Sequence, residues 1–278
     1  MFDYKLPSSS DPCIMVSLPI ALLQADHRLG YQSPRDIAVI ILALAPSIDP
    51  TIYPPSQVIA SLRAINTVIE FNPSHSSNSF RHDLYPSLVH IFNLHRTPLP
   101  RVLVIEQVQL AALLLERICS QQDTSDEFAE QDILDALLTF LYSFVFLTWD
   151  IQKDYAFNKA PPALTSRLLP SLLFALAQLI KDDQARATQV AAAKPTTPLV
   201  GAMFEEEFPM MRILLRLTKN MHGPIKLGAV ECVTYMFRLG AIGRREIGEI
   251  NTLVVPILVR LFDDRPDVRM RAPQILGT

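Results

Sequence analysis

The sequence predicts an all-α chain built from stacked helical repeats. Two residue counts favour helices over strands. Among 278 residues there are 8 glycines, which is few for a fold with many tight hairpins, and 22 prolines that cluster between apolar periodic segments. The third observation is recurrence, because several segments repeat one pattern of small and aliphatic residues at helical spacing.

Four recurring segments are each predicted to form a long helix, and a fifth begins at the end of the chain. In order they are SQVIASLRAINTVIEF (56–71), EQVQLAALLLERICSQ (106–121), PSLLFALAQLIKDD (170–183), IKLGAVECVTYMFRLG (225–240) and PDVRMRAPQILGT (266–278). Between them we expect helices that carry a proline in the first turn, around Pro86, Pro209 and Pro256. Proline is tolerated there because no intrahelical donor is lost.

The predicted unit is a proline-started helix, a polar turn and a long helix. Units recur every 40 to 60 residues or so, roughly the range of armadillo and HEAT repeats with insertions. A single unit cannot bury both of its helices, whereas stacked units share a continuous core and leave an extended concave surface. We therefore expect an armadillo/HEAT-like α-solenoid, a right-handed superhelix whose long helices line the concave side.

The repeats do not cover the chain evenly. Residues 1–55 are interpreted as an irregular N-terminal helical segment, and residues 56–278 as the repeats. Loop-like composition predicts insertions near 73–80, 148–162 and 191–198. The apolar pattern around Ile275 stops in mid-repeat at Thr278, which predicts a truncated C-terminal repeat.

The segment 227–242 shows how a long helix divides its residues. One arc of the helix is apolar and is predicted to be core: Ala229, Val230, Cys232, Val233, Met236, Phe237 and Gly240. The opposite side is polar: Glu231, Thr234, Tyr235 and Arg238. This polar stripe fits either a solvated surface or a strip that contacts a partner.

Groove candidates follow from position. In an armadillo-type unit, two exposed positions four apart on the long helix point into the groove. The predicted partner-binding residues are Arg63, Thr67, Arg117, Gln178, Glu231, Tyr235 and Arg238, and the same alignment adds Leu113, Phe174, Gln274 and Thr278. Arginine and tyrosine often anchor interfaces, so Arg117, Tyr235 and Arg238 come first. Ordinary surface, or intramolecular pairing such as Glu231 with Arg238 through Tyr235, is the alternative.

The segments IKLGAVECVTYMFRLGAI, LVVPILVRLFDD and VRMRAPQILG resemble the armadillo-repeat subunit of the CTLH/GID ubiquitin ligase. The core of the match is TYMFRLGAI, Thr234–Ile242, with weaker similarity in LPIALLQ (18–24) and in residues 108–141. The resemblance implies a non-catalytic scaffold that bridges ligase core subunits to exchangeable substrate receptors. It also implies a cytoplasmic and nuclear location. A different α-solenoid adaptor, binding an extended peptide in transport or adhesion, is the alternative.

Composition and motifs argue against other functions. The formal net charge of −3 gives no general attraction to nucleic acid or to an anionic membrane. Cys13, Cys119 and Cys232 lie far apart and form no CxxC pair. His82, His90 and His95 lack metal-site spacing, and the acidic run 205–207 fits a helix start better than a catalytic pair. No secretory signal, membrane span, nucleophile elbow or phosphate loop is recognised, so we expect no enzyme activity, no cofactor and no metal.

Overall fold

The computed structural model describes residues 40–71, 81–96, 101–119, 127–148, 163–194, 209–218, 220 and 222–242. Within these ranges the regular structure is helical and no strand is present, which confirms the predicted all-α class for this part of the chain. A helical turn at 40–44 leads into a 3₁₀ turn at Ala45–Ile48, and a second 3₁₀ turn spans Asn93–Arg96. The α-helices are α1 (Pro55–Phe71), α2 (Arg81–Phe92), α3 (Arg101–Cys119), α4 (Glu127–Thr148), α5 (Ala163–Ile180), α6 (Gln184–Ala192), α7 (Met210–Leu217) and α8 (Gly223–Arg238).

The four predicted long helices are present as α1, α3, α5 and α8. Pro209 is the N-cap of α7, one position before the predicted first turn, and Pro55, which was not among the predicted helix starts, is the first residue of α1. The prediction for Pro86 is wrong, since it lies inside α2, and Pro170 likewise lies inside α5. Proline removes a single intrahelical donor, and the Pro86 side chain lies at an exposed position of α2.

The predicted insertions fall largely outside the described residues, as do Pro256 and the predicted fifth helix. The structure does describe the first residues of two predicted insertions, those near 148–162 and 191–198, and these residues are helical. Thr148 is the last residue of α4, and α6 extends to Ala192, so the insertion near 191–198 begins within a helix. Asp183 starts α6 because its carboxylate accepts the backbone N–H of Arg186 at 3.0 Å, a capping bond.

The long helices lie side by side in one row. Helix α1 packs on α3, α3 on α5, and α5 on α8. Behind this row, α2 contacts the first 3₁₀ turn and α4, while α6 and α7 contact each other and α8. Buried aliphatic residues from all eight helices join one hydrophobic cluster. Burying one leucine or isoleucine contributes about 1.5–3 kcal/mol, so this shared cluster is the main source of stability.

Helices α1 and α3 run in the same direction. Three contacts along the pair occur in the same order on both helices: Arg63 with Glu106, Asn66 with Leu110, and Glu70 with Arg117. In the second row α4 and α6 are also parallel, because Asp135 meets Gln189 and Tyr142 meets Ala193. Because neighbouring helices within a row are parallel, the chain passes through the other row between one helix and the next: α2 connects α1 to α3, and α5 connects α4 to α6.

In helix α8, burial was predicted correctly for most residues of the apolar arc and incorrectly for two of them. Ala229, Val230, Cys232, Val233 and Met236 are buried as predicted. The prediction is wrong for Phe237, which is 46% exposed, and for Gly240, which lies beyond the helix.

Gly240 ends α8 and contributes nothing to its apolar face. It adopts φ +67°, a left-handed conformation that suits glycine. Its N–H donates to the Phe237 carbonyl at 3.1 Å, and the Ala241 N–H donates to the Met236 carbonyl at 2.9 Å. This pair of bonds is the Schellman arrangement of a helix C-terminus. Gly240 therefore terminates the helix, which is why the prediction that it belongs to the apolar arc is wrong.

Candidate partner-binding face

The row of long helices has one side that is not covered by the second row. Along each helix the half-buried and exposed positions recur every three or four residues, which places them on one stripe. We call the four stripes together the four-helix face. Its members are Arg63, Thr67 and Glu70 on α1, Glu106, Leu113 and Arg117 on α3, Arg167, Ser171, Phe174 and Gln178 on α5, Lys181 just after α5, and Thr234 and Arg238 on α8.

A network of polar contacts joins α1 to α3 across this face. The guanidinium of Arg117 donates to the backbone carbonyl of Asn66 at 2.5 Å and to the Asn66 side-chain oxygen at 3.3 Å. The same guanidinium donates to the Glu70 carboxylate at 2.9 Å. The buried Asn66 amide in turn donates to the carbonyls of Leu62 and Leu110, both at 3.0 Å. Arg117 is therefore a brace between two helices, with its side chain 23% exposed.

Arg63, on α1, also joins α1 to α3 but in a more exposed position. Its guanidinium pairs with Glu106, and its side chain is 64% exposed. Exposed ion pairs contribute about 0–1 kcal/mol because water and salt screen them. Arg63 and Thr67 thus remain available at the surface, whereas Arg117 is largely engaged within the molecule.

The α5–α8 seam is held by a buried carboxylate. One oxygen of Glu231 accepts the amide N–H of Gln178 at 3.2 Å and the hydroxyl of Tyr235 at 3.3 Å. Burial raises the pKa of Tyr235, the Glu231 charge raises it further, and Arg238 lowers it in part. The tyrosine therefore keeps its proton at neutral pH and acts as a hydrogen-bond donor to the carboxylate.

The expected exposure of Glu231 and Tyr235 is wrong. Glu231 is 4% exposed and Tyr235 is 2% exposed. Both turn towards the α5 side of α8, where Gly228 and Cys232 meet Leu173. A charged residue followed four positions later by tyrosine looks like a surface pair in the sequence, but the close approach of α5 encloses it. Thr234 and Arg238 are the outward pair on this helix.

The other predicted groove residues differ in exposure, and their role in partner binding stays a prediction. Arg63 and Thr67 are exposed, and Leu113, Arg117, Phe174 and Gln178 are half-buried on the same side of the row. Gln274 and Thr278 lie outside the described residues. Sequence reasoning missed Asn66, Glu70, Glu106, Arg167 and Lys181. Helical spacing of three or four residues from the predicted positions would have found the exposed members among them.

Potential metal ligands are not clustered in the described part of the chain. No group of three or more histidine, cysteine or acidic side chains is placed to hold a metal ion there. His90 instead accompanies Asp49 in a local cluster, with Nδ1 and Oδ1 separated by 3.2 Å. Burial would raise the pKa of Asp49, but hydrogen bonds from Thr51 and His90 outweigh it and lower the pKa.

The remaining chemical candidates are likewise few. The acidic run 205–207 lies outside the described residues. Cys119 and Cys232 are buried and form no disulfide with each other, and burial raises the pKa of the Cys232 thiol, so that thiol is poorly suited to act as a nucleophile. No helix in the described ranges has the length and apolar character needed to cross a membrane.

Comparisons with protein families, curated proteins and solved structures gave no match. Among the described residues, the four-helix face is a polar and partly apolar strip that crosses four neighbouring helices and includes arginine side chains of the kind that anchor protein interfaces.

Proposed function

We propose that the protein is a non-catalytic scaffold, an armadillo-like α-solenoid that binds protein partners along the four-helix face. The observation that supports the proposal is the arrangement of the long helices α1, α3, α5 and α8 in one row. Successive long helices lie beside one another, α1 and α3 run parallel, and each helix presents a partly polar stripe on the same side. Stacked helical repeats present extended surfaces of this kind to partner chains.

The partner class follows from the resemblance in residues 225–242 and the segments after it. On that basis the protein is a scaffold of a CTLH/GID-type ubiquitin ligase, in the cytoplasm and nucleus, and bridges core subunits to a substrate receptor. We propose neither a membrane nor a nucleic acid as a partner. The formal net charge of −3 supports protein partners, because it offers no general attraction to polyanions.

Affinity capture of the tagged full chain from its native cell extract, followed by mass spectrometry, tests the proposal. We expect to recover subunits with LisH/CTLH domains and RING domains. A reproducible partner set without any ligase subunit would contradict the ligase assignment and favour the transport or adhesion adaptor. Hydrolase or transferase activity that persists through purification to homogeneity would contradict the non-catalytic role.

A pair of variants locates the binding surface. Thr234→Ala with Arg238→Ala removes two outward groups of α8 without disturbing the buried Glu231 and Tyr235. Lys226→Ala with Arg212→Ala is the matched control, since it also removes side chains from α8 and from its neighbour α7 but lies off the face. We expect lower recovery of partners with the first variant only. Equal recovery from both folded variants would place the binding surface elsewhere.

A further inference from the structure

The four long helices share one position that is always buried. The predicted groove pairs align the helices, and the residue just before each pair then occupies the same position: Leu62 on α1, Ala112 on α3, Leu173 on α5 and Val230 on α8. All four side chains are 0% exposed. On α5 the cause is a contact with the next long helix, since Leu173 lies against Gly228 and its carbonyl accepts the Cys232 thiol at 3.2 Å. The same position on α8 is therefore the one that a further long helix would cover.

Val230 lies on the side of α8 that is turned away from α5. It is two residues from both Gly228 and Cys232, and thus about 160° round the helix from each. It is only about 40° from Thr234 on the outward stripe, so the second row of helices lies on a different side. Within the described ranges, α8 is the last helix of the row and packs on α5, α6 and α7. The complete burial of Val230 is therefore not explained by the described helices.

We propose that residues 266–278 dock along this side of α8 as a fifth long helix of the row, parallel to α8. The segment repeats the pattern of the other long helices, and the alignment of its groove pair with that of α8 places Ile275 at the position of Cys232. Ile275 would then lie against Val230 as Cys232 lies against Leu173, so that two aliphatic side chains leave water together. The docking goes beyond the proposed function, because it adds one helix to the four-helix face whichever partner binds there.

The connecting residues are long enough for this return. Residues 243–265 lie between the described part of the chain and the proposed helix. The chain passes from α1 to the parallel α3 through residues 72–100, which include α2, so a connection of similar length already leads from one long helix to the next. A helix of the length of α8 is about 24 Å long, neighbouring helices lie about 8–10 Å apart, and an extended chain advances about 3.3 Å per residue. Residues 243–265 therefore span the distance from the end of α8 back to its beginning, with residues left over for a helix in the second row.

The test places a photo-crosslinking residue on this side of α8 in the full chain. In separate variants, p-benzoylphenylalanine replaces Phe237, which is 46% exposed, and Lys226, which is half-buried. These positions lie about 20° and 40° from Val230 round the helix, towards opposite ends of α8. Val102 on α3, an apolar residue that is 66% exposed, takes the same probe as the matched control. Circular dichroism verifies that each variant folds. After irradiation, gel electrophoresis separates crosslinks within one chain from those between chains, and mass spectrometry identifies the linked peptides.

We expect both α8 probes to form crosslinks to residues 266–278 within one chain, and the Val102 probe to form none there. Because the proposed helix runs parallel to α8, the Lys226 probe should link nearer residue 266 and the Phe237 probe nearer residue 278. The reverse order would overturn the docking, as would the absence of crosslinks between the α8 probes and 266–278. Crosslinks only between two copies of the chain would overturn it too, and would assign this side of α8 to a dimer.

Amide hydrogen exchange of the natural full chain adds a measurement that needs no probe. Amides in 266–278 should exchange at least about tenfold more slowly than in an unfolded chain, and exchange at the unfolded rate would overturn the docking. Val230→Ala should speed their exchange by about tenfold or more, whereas Val108→Ala, which shortens a valine of α3 that is also 0% exposed, should change it less than about twofold. Equal acceleration would tie the segment to global stability and not to α8, and would overturn the docking as well. Neither experiment involves a partner, so their outcomes are independent of the affinity capture that tests the scaffold function.

Discussion

Gln107 is a polar side chain that the core encloses completely. It lies on α3 with 0% exposure, and neither its amide nitrogen nor its amide oxygen has a hydrogen-bond partner. A buried polar group without a partner costs about 1–3 kcal/mol, because it gives up its bonds to water and receives none in return. The sequence predicts a helix around Gln107, but helical periodicity cannot show whether its amide has a hydrogen-bond partner.

Replacing Gln107 with leucine should therefore stabilise the protein. We expect Gln107→Leu to raise the free energy of unfolding by about 1–2 kcal/mol, measured by urea denaturation with circular dichroism. Gln109→Leu on the same helix is the control, since that position is half-buried and its amide can reach water. A loss of stability in Gln107→Leu would mean that the amide is satisfied by an ordered water molecule.

Arg117 and Arg63 provide a second comparison at the same scale. Both extend from one long helix to its neighbour, but Arg117 bonds to a backbone carbonyl and is 23% exposed, while Arg63 is 64% exposed. We expect Arg117→Ala to cost about 2–3 kcal/mol of folding stability and Arg63→Ala less than about 1 kcal/mol. Thermal and urea unfolding of the two variants check this order, and similar losses would contradict the assignment of Arg117 as a brace.

At the scale of the helix, the sequence predicts where a helix forms better than it predicts which residues of that helix are buried. The apolar periodicity of α1, α3, α5 and α8 depends on local spacing, and all four helices are present. Whether Glu231 and Tyr235 face solvent depends on how closely α5 approaches, a contact between residues more than fifty positions apart that periodicity cannot report. The interior prolines of α2 and α5 were misplaced for a related reason, because tertiary packing stabilises helices that proline alone would end.

The contact between α5 and α8 depends on Gly228. A Cβ atom at this position would lie 2.7 Å from the Cβ of Leu173, which is fixed to the α5 backbone. Alanine is favoured over glycine within a helix by about 1 kcal/mol, so propensity alone would make Gly228→Ala stabilising. We expect the clash to dominate and the variant to lose about 1–2 kcal/mol, because the two helices must move apart.

The companion substitution is Leu173→Ala, measured by urea unfolding alone and together with Gly228→Ala. Alanine keeps the Cβ that the new methyl group would meet, so shortening Leu173 should not rescue the glycine variant. A double variant more stable than Leu173→Ala alone would show that the outer part of the leucine side chain, and not the helix spacing, sets the limit.

On the scale of the whole molecule, three elements meet at one carbonyl group. The carbonyl of Ala193, just after α6, accepts the hydroxyl of Tyr142 on α4 at 2.5 Å and the backbone N–H of Met210, the first residue of α7, at 2.9 Å. Burial raises the pKa of Tyr142, so its hydroxyl remains a donor at neutral pH. The residues on either side of 195–208 thus lie close together, since Met210 bonds directly to Ala193.

Because the two ends already meet, the stretch 195–208 should be exchangeable. Loop closure changes by only about 0.6 kcal/mol for each doubling of loop length, so a shorter connection carries little entropic cost. We expect a replacement of 195–208 by about four glycine and serine residues to preserve helicity and to shift the melting temperature by less than about 3 °C.

Tyr142→Phe, which removes one of the two donors to the Ala193 carbonyl, should lower the free energy of unfolding by about 1 kcal/mol, both in the natural chain and in the shortened chain. If the shortened chain fails to fold while Tyr142→Phe is tolerated, the inserted stretch contributes to the core and is not an excursion from it. If it folds but loses its captured partners, the repeats carry the structure and the inserted stretch carries part of the recognition.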